Sequence, residues 1–392
     1  VVDYVNEIDD ELEIEQISDE EAYPFITWVG EEVDEAYYKA VMGIEINPGL
    51  DKSDFKIVYS PQHGADNIPV RTCLKRLGYD IVPVLAQCAP DPDYTNTKSP
   101  NPEVDASYEL AIKLAKEVDA DVVAITDPDG DRLGVVAKHN GEYVLMSGNQ
   151  SAAVYLEYIL SQRKEKGTLP DNAVMYNTIV TSDLGELVAR NYGVDVEKTL
   201  TGFKFIGDKI RKYEKTHEKQ FIFGYEESYG CVVEDFVRDK DAVQAVLLAA
   251  ECGNYYKKQG KDLIDVLNEL YAKYGTFKES QIALAKAGAA GAARIKEMMD
   301  TLRQDKPTEI GGVKVVLSED YATSERSDGT TIDLPKSNVL KYYLEDGSWI
   351  AARPSGTEPK CKFYFSIKGK DAKDAGDKTE VFHKAMMELI GE

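Results

Sequence analysis

The run Asp121-Val122-Val123-Ala124-Ile125-Thr126 leads directly into Asp127-Pro128-Asp129-Gly130-Asp131-Arg132. Its first half is short, apolar and rich in β-branched residues. That pattern predicts a strand buried on both faces, as in a parallel sheet covered by helices. Reading outward, residues 55–59 are β-like, 68–77 have helical spacing and 80–85 are β-like again. Residues 86–104 are a loop rich in Pro, Asp and Asn, and 105–118 read as a helix. Strand, helix, strand, helix, strand implies an α/β layer fold.

A second set follows Ser147. Helices are expected over 150–164, 182–192 and 203–215, and strands over 173–177, 194–200 and 220–224. Helical stretches at 240–258 and 261–273 close that unit. Beyond 275 the order changes: a β-like run (276–284), a helix (290–304), β-like segments at 313–318, 338–344, 348–353 and 361–368, then a helix near 371–390. Strands in succession with helices set apart indicate α+β. The expected fold class is α/β, with two consecutive three-layer α/β domains containing mixed sheets, then a smaller α+β C-terminal domain. The expected boundaries are 39–146, 147–274 and 275–392, after an acidic linker over 1–38 that ends a missing first domain.

The 392 residues carry 70 Asp and Glu against 46 Lys and Arg, a formal charge of −24. A nonspecific nucleic-acid binder needs a basic face to displace counterions, so this composition argues against that class. Hydrophobic residues make up 43% and charged residues 30%, which excludes wholesale disorder. No apolar run approaches the ~18 residues that cross a bilayer, so no membrane partner is expected. Residues 1–38 hold 14 Asp and Glu and no Lys or Arg, a solvated acidic face. Within them the spacing of Val2, Val5, Ile8 and Leu12 predicts the tail of a helix. The five cysteines are scattered singly without metal or redox spacing, and the first residues lack a signal-peptide pattern. A reducing, cytoplasmic setting is expected. The chain starts at Val1 and reads as a piece of a longer protein.

Three carboxylates at i, i+2 and i+4 raise one another's pKa unless a cation sits among them. Oxygen donors suit a hard divalent ion such as Mg²⁺, so Asp127, Asp129 and Asp131 are candidate metal ligands. Their loop follows a buried strand, where ligands of open α/β sheets sit. An EF-hand would need Gly and Glu where Arg132 and Lys138 stand. A haloacid dehalogenase-type loop, DxDx(T/V), would not have Asp131 at its fifth place. Arg132 points to a phosphate beside the metal, since guanidinium forks match phosphate oxygens. The plainer alternative is an acidic turn.

Three other loops bear chemistry. Thr201-Gly202-Phe203-Lys204 opens a helix whose free N–H groups favour an anion or polar ligand, or it is a simple cap. In Gly224-Tyr225-Glu226-Glu227-Ser228-Tyr229-Gly230, two carboxylates and a hydroxyl at a strand end suit sugar hydroxyls, or form a polar turn. Lys240 supplies a nearby cation or simply starts the next helix. Arg353-Pro354-Ser355-Gly356-Thr357-Glu358-Pro359-Lys360 offers an Arg, two hydroxyls and a Gly-permitted turn, the parts of a phosphate cradle. Residues 351–362 hold three basic side chains and one acidic. The alternative there is a solvated hairpin. Together the loops describe a site for a phosphorylated sugar.

These motifs, in this order, resemble those of the α-D-phosphohexomutase superfamily, most closely its bacterial phosphoglucomutases. The resemblance covers roughly 40–392. It implies several domains around one cleft and movement of a phosphoryl group between the 1- and 6-positions of a hexose. The cofactors it implies are Mg²⁺ and glucose 1,6-bisphosphate, the latter as activator and intermediate. By this match Asp127, Asp129 and Asp131 hold Mg²⁺ against a phosphoserine, and Arg132 and Lys240 contact the substrate or phosphoserine phosphate. Thr201, Gly202, Phe203, Glu226 and Ser228 match sugar-binding positions, and Arg353, Ser355, Gly356 and Thr357 match a clamp for the non-reacting phosphate. The implied partner is a phosphorylated hexose, with monomer and dimer both open.

The family's nucleophile, a serine in a Ser-His-Asn-Pro loop, has no counterpart. None of His63, His139, His217 and His383 follows a serine. Ser60, near His63, is expected to be a turn residue. The expectation is therefore a fragment that binds metal and phosphosugar without turnover. Gly230 stands where many phosphomannomutase/phosphoglucomutase members carry a histidine, which favours glucose over mannose; pentose phosphates stay open. The competing classes are a standalone phosphosugar-binding or regulatory protein, and a metal-dependent phosphatase using Asp127 or Asp129 as nucleophile.

Overall fold

The computed structural model describes residues 2–355 and 359–392, and the chain divides into the units Val1–Ala40 and Val41–Glu392. The first unit has little regular structure. The helices α1 (Val2–Asn6) and α2 (Asp19–Ala22) bury no residue, and α3 (Glu31–Met42) runs to its end. The spacing from Val2 to Leu12 predicts more helix than forms. The chain leaves α1 at Asn6, and the Asp10 carboxylate accepts the Leu12 N–H at 2.9 Å to start a separate turn. Tyr4, Leu12, Phe25 and Trp28 remain exposed.

In the larger unit β1 (Lys56–Ser60), β2 (Asp80–Pro83), β3 (Val122–Thr126), β4 (Leu133–His139) and β5 (Glu142–Met146) form a sheet in the order β2-β1-β3-β4-β5. β1 is parallel to β2 and β3, whereas β3, β4 and β5 are antiparallel, so the sheet is mixed. The crossovers contain α4 (Asn67–Arg76) and α5 (Glu109–Val118). Strand alternation divides the two faces. Val58, Val123, Ile125 and Val136 bury one face against Ala111 and Ala115 of α5. Two departures from the sequence reading occur here. Residues 133–146 are assigned no strands there, yet they form β4 and β5 around Asn140-Gly141, both at positive φ. Ser60 is no turn residue but the fully buried end of β1. Its Oγ donates to Gln87 Oε1 at 2.7 Å and accepts the Gln62 N–H at 3.1 Å.

The second layer starts with α6 (Gly148–Glu165), whose N-terminus the Ser147 hydroxyl caps. β6 (Ala173–Thr178), β7 (Asp195–Thr199), β8 (Gln220–Tyr225) and β9 (Cys231–Val232) follow in the order β7-β6-β8-β9, parallel except for β9. Its other helices are α7 (Leu184–Asn191), α8 (Phe203–Thr216), α9 (Ala242–Lys257) and α10 (Leu263–Tyr274). In α9, 14 of 16 residues are buried, and a helix apolar all round must be covered all round. It packs on α6 and α10, and also on α4, β3 and β4 of the first sheet. Two of its buried polar side chains serve backbone amides. Glu251 accepts the Ile46 and Asn47 N–H groups, and Gln244 Oε1 accepts those of Val233 and Glu234.

The C-terminal sheet is antiparallel. β10 (Thr276–Ala285), β11 (Glu309–Ile310), β12 (Val313–Asp320), β14 (Leu340–Leu344), β15 (Trp349–Pro354) and β16 (Lys360–Gly369) lie in the order β10-β16-β15-β14-β12-β11, and β13 (Glu325–Arg326) pairs with β12. One face packs on α11 (Gly288–Gln304) and α12 (Ala372–Ile390) through Met299, Phe382, Ile350 and Phe365. On the other, Trp349, Ala351 and Tyr364 pack on Ile179, Val180 and Leu200 of the second layer. The fold class expected from the sequence is the one observed. Among the described residues no helix is long and apolar enough to cross a membrane.

Lys341 is fully buried at that last junction. Its Nζ donates to Ile179 O at 2.7 Å and lies 3.9 Å from the Trp349 ring centroid and 4.7 Å from that of Tyr343. Burial, reinforced by the Lys198 ammonium, pushes its pKa down to about 7. The two ring faces act in the opposite sense, because they favour the cation. Burial is the larger effect. Between about 7 and its unfolded value, Lys341 is then neutral when folded and protonated when unfolded. This contribution to stability is complete above the unfolded pKa and is lost as pH falls through about 7. The thermal midpoint should therefore rise from about pH 7 to about pH 9 more steeply in the native chain than in Lys341→Met. Parallel slopes in calorimetry would show that the amine stays charged.

Candidate phosphosugar and metal site

The carboxylate loop folds around one oxygen. Asp127, buried at the end of β3, accepts the N–H groups of Asp131 and Arg132 on Oδ1, at 3.1 and 2.9 Å. These two bonds turn the chain back so that the carboxylates converge. Oxygens of Asp127, Asp129 and Asp131 lie within 4.8 Å of one another. Burial raises Asp127 to about 7, opposed by the backbone N–H of Arg132. An all-carboxylate donor set under mutual repulsion fits a hard divalent cation.

Two cations border this loop. The Arg132 guanidinium donates to Glu103 Oε1 at 2.8 Å and stands 3.5 Å from Asp131. Lys240 forms an ion pair with Asp131 Oδ2. Its stem lies over Gly230, where a Cβ would fall 2.3 Å from Lys240 Cδ, so a side chain there would push the lysine stem aside. Lys240 precedes α9 and is not part of it, since Asp241 caps that helix.

The loop after β8 meets the carboxylate loop directly. Leu133 N–H donates to Tyr229 O at 2.9 Å. Tyr229 has φ +68°, a left-handed conformation that costs a bulky side chain free energy and persists where surroundings enforce it. Glu226 is buried, and its Oε1 accepts the Gly202 N–H at 2.8 Å. That bond joins the predicted Thr201–Gly202 motif to the predicted Glu226–Ser228 motif. Thr201 Oγ1 is buried without a partner, and Phe203 is buried as the first residue of α8. Ser228 is partly exposed. Burial raises the Glu226 pKa, opposed first by the Gly202 N–H.

The fourth motif is the β15–β16 connection. Arg353 pairs with Lys362 across the hairpin, and Ser355 N–H donates to Lys360 O at 2.7 Å. The Arg353 charge reaches Glu227, whose pKa burial raises to about 7 and Arg353 opposes. Glu227 in turn accepts the Thr178 hydroxyl at 3.0 Å. Ser355 is exposed, and Gly356 and Thr357 lie outside the described residues. A cavity of about 800 Å³ borders this connection at Pro354, Ser355 and Pro359, with Arg303, Met299 and Asn338 on its wall.

Sequence reading missed Glu103, Thr178 and Asp66. Glu103 lies in the loop 86–104, and no local pattern pairs it with Arg132 across 29 residues. A second cluster, His139 with Asp262 and Asp265, sits at the opposite end of β4. Its carboxylates are engaged in capping α10, accepting the N–H groups of Ile264, Asp265 and Asp262.

Family models of phosphoglucomutase/phosphomannomutase match three stretches: α/β/α domain II over 35–141, α/β/α domain III over 147–274 and the C-terminal domain over 288–380. A phosphoglucomutase of Staphylococcus haemolyticus is 36% identical over 376 residues, covering 94% of this chain and 67% of its own. One from Staphylococcus epidermidis is 38% identical over 346 residues, covering 86% and 62%. The chain thus spans roughly two thirds of these relatives' length. Among solved structures, the open form of the Paramecium phosphoprotein parafusin, described as a phosphoglucomutase, aligns with a TM-score of 0.67. It is 19% identical and covers 91% of this chain and 63% of its own, a likeness of fold.

The raised pKa of Asp127 has a measurable consequence. Without a cation its carboxyl is partly protonated near neutrality, and a divalent ion must displace that proton. Mn²⁺ affinity should therefore rise from about pH 6 to about pH 8 and then level off. Calorimetry in buffers of different ionisation enthalpy should register proton release. Constant affinity without release would show that Asp127 is ionised throughout.

Proposed function

Because this chain belongs to the phosphoglucomutase/phosphomannomutase family, we propose that its 392 residues carry the metal and phosphosugar sites of a mutase that moves a phosphoryl group between the 1- and 6-positions of a hexose. The observation that carries this reading is the join between the convergent carboxylate loop and the Glu226–Ser228 loop at Leu133 N–H and Tyr229 O.

In this reading Asp127, Asp129 and Asp131 hold Mg²⁺, which when bound supplies positive charge against a transferring phosphoryl group. Arg132, steadied by Glu103, and Lys240, held on Asp131, place two further positive charges beside it. Glu226 offers a fixed acceptor and Ser228 a hydroxyl to the sugar, beside Thr201, Gly202 and Phe203 at the start of α8. Arg353 and Ser355, with Gly356 and Thr357, hold the non-reacting phosphate. Glucose 1,6-bisphosphate is the intermediate. A cytoplasmic setting and a glucose phosphate substrate complete the proposal, the latter on the residue at Gly230.

Turnover also needs a phosphoryl donor. None of the four histidines directly follows a serine, and Ser60 is buried and bonded to Gln87. These residues should therefore bind without converting substrate. Incubation with Mg²⁺, glucose 1-phosphate and the bisphosphate should give no glucose 6-phosphate, while calorimetry should still record binding. The absence of both binding and conversion would count against the proposal, whereas conversion would place a nucleophile within this chain.

Two substitutions test the residue roles. Arg353→Ala should weaken hexose-phosphate binding by about 1.5–3 kcal/mol, the range for charge-assisted hydrogen bonds. Unchanged affinity would remove Arg353 from the clamp. Asp129→Asn should greatly reduce Mg²⁺ binding, and equal metal binding would sink the three-carboxylate assignment.

A further inference from the structure

Asp66 precedes α4 in the position where an aspartate ordinarily caps a helix, yet its side chain makes no cap bond. It is 7% exposed, and its Oδ2 has no hydrogen-bond partner. The carboxylate points instead at the underside of the metal loop. A Cβ on Gly130 would fall 2.4 Å from Asp66 Oδ1 and 2.9 Å from Oδ2. Gly130, at φ +74°, lies between Asp129 and Asp131, and its lack of a side chain leaves room for this approach. The backbones are tied together too, since Ala65 N–H donates to Pro128 O at 2.9 Å.

A buried carboxylate oxygen without a partner is unfavourable unless a proton, a donor or a cation completes it. Lys240 and Arg132, the two cations bordering that loop, are already paired with Asp131 and Glu103. A divalent cation supplies both charge and donors, because Mg²⁺ retains several waters whose O–H groups donate. We propose that Asp66 is a fourth carboxylate of the metal site, a positioning residue that adds charge from behind Gly130 and accepts a hydrogen bond from the cation's waters. This rests on the metal reading of Asp127, Asp129 and Asp131.

The test uses the full chain with Mn²⁺ as probe. Free Mn²⁺ is counted by electron paramagnetic resonance, and the water-proton relaxation of the bound ion is measured alongside. Asp129→Asn should greatly reduce binding. Asp66→Asn should weaken it by about tenfold or more, in the range seen when outer groups around a metal are removed, and should change the relaxation per bound ion. Asp66→Glu should restore part of the affinity. If Asp66→Asn unfolds at assay temperature by circular dichroism, Asp66→Gly makes the same comparison without adding an amide. Native affinity and native relaxation in a folded Asp66 variant would overturn the proposal while leaving the three-carboxylate site intact. No Mn²⁺ binding by the unaltered chain would overturn both.

Discussion

The site is organised around Asp127 Oδ1 and the two amide N–H groups it accepts. A carboxylate at the end of a fully buried strand has little access to water, so its bonds must come from the chain around it. By taking the amides of Asp131 and Arg132 it closes a tight loop. That closure directs Asp131 toward Lys240 and sends the chain into β4, where Leu133 can bond Tyr229. Asp127 thus serves twice, shaping the loop with one oxygen and, in the proposed reading, offering the other to a cation. The sheet matters here because β3 fixes where that oxygen is.

Charge follows the same economy. The total of −24 suggests a protein that repels phosphate, yet 14 of its acidic groups lie in residues 1–38, which hold no base. Around the four loops, acids and bases are interleaved: Glu103 with Arg132, Asp131 with Lys240, and Glu227 facing Arg353. Net charge says little about such a surface, because an anion senses the few groups within a Debye length.

The fold class was legible because its signals are local. The apolar run 122–126, the helical spacing of α5 and the alternation in the C-terminal strands each lie within a short window. The four motifs were legible for the same reason. What stayed hidden was either contact between distant segments or competition between local signals. Glu103 and Asp66 became part of the site only through tertiary approach, and Asp66 in isolation reads as a helix cap. The β4–β5 hairpin had a visible signal in Asn140-Gly141, the dipeptide favoured in two-residue turns, but the acidic loop before it drew the reading away. Along Val2–Leu12 the apolar spacing promised a longer helix than one without buried contacts can sustain.

Helix α9 also bears on how the chain comes to be folded. Residues 242–257 complete the first sheet's far face, with the Phe55 ring lodged against Gly253 and Asn254 Nδ2 donating to Asp51 O across 203 positions. Pairings so distant in sequence carry a large loop-closure cost before they stabilise anything. During synthesis the first sheet must wait, with one face covered only in part by α4, until α9 has emerged. The two α/β layers, separate in sequence, therefore mature as one cooperative unit, and a ribosome that stalled near residue 200 would present cellular chaperones with a partly open hydrophobic face.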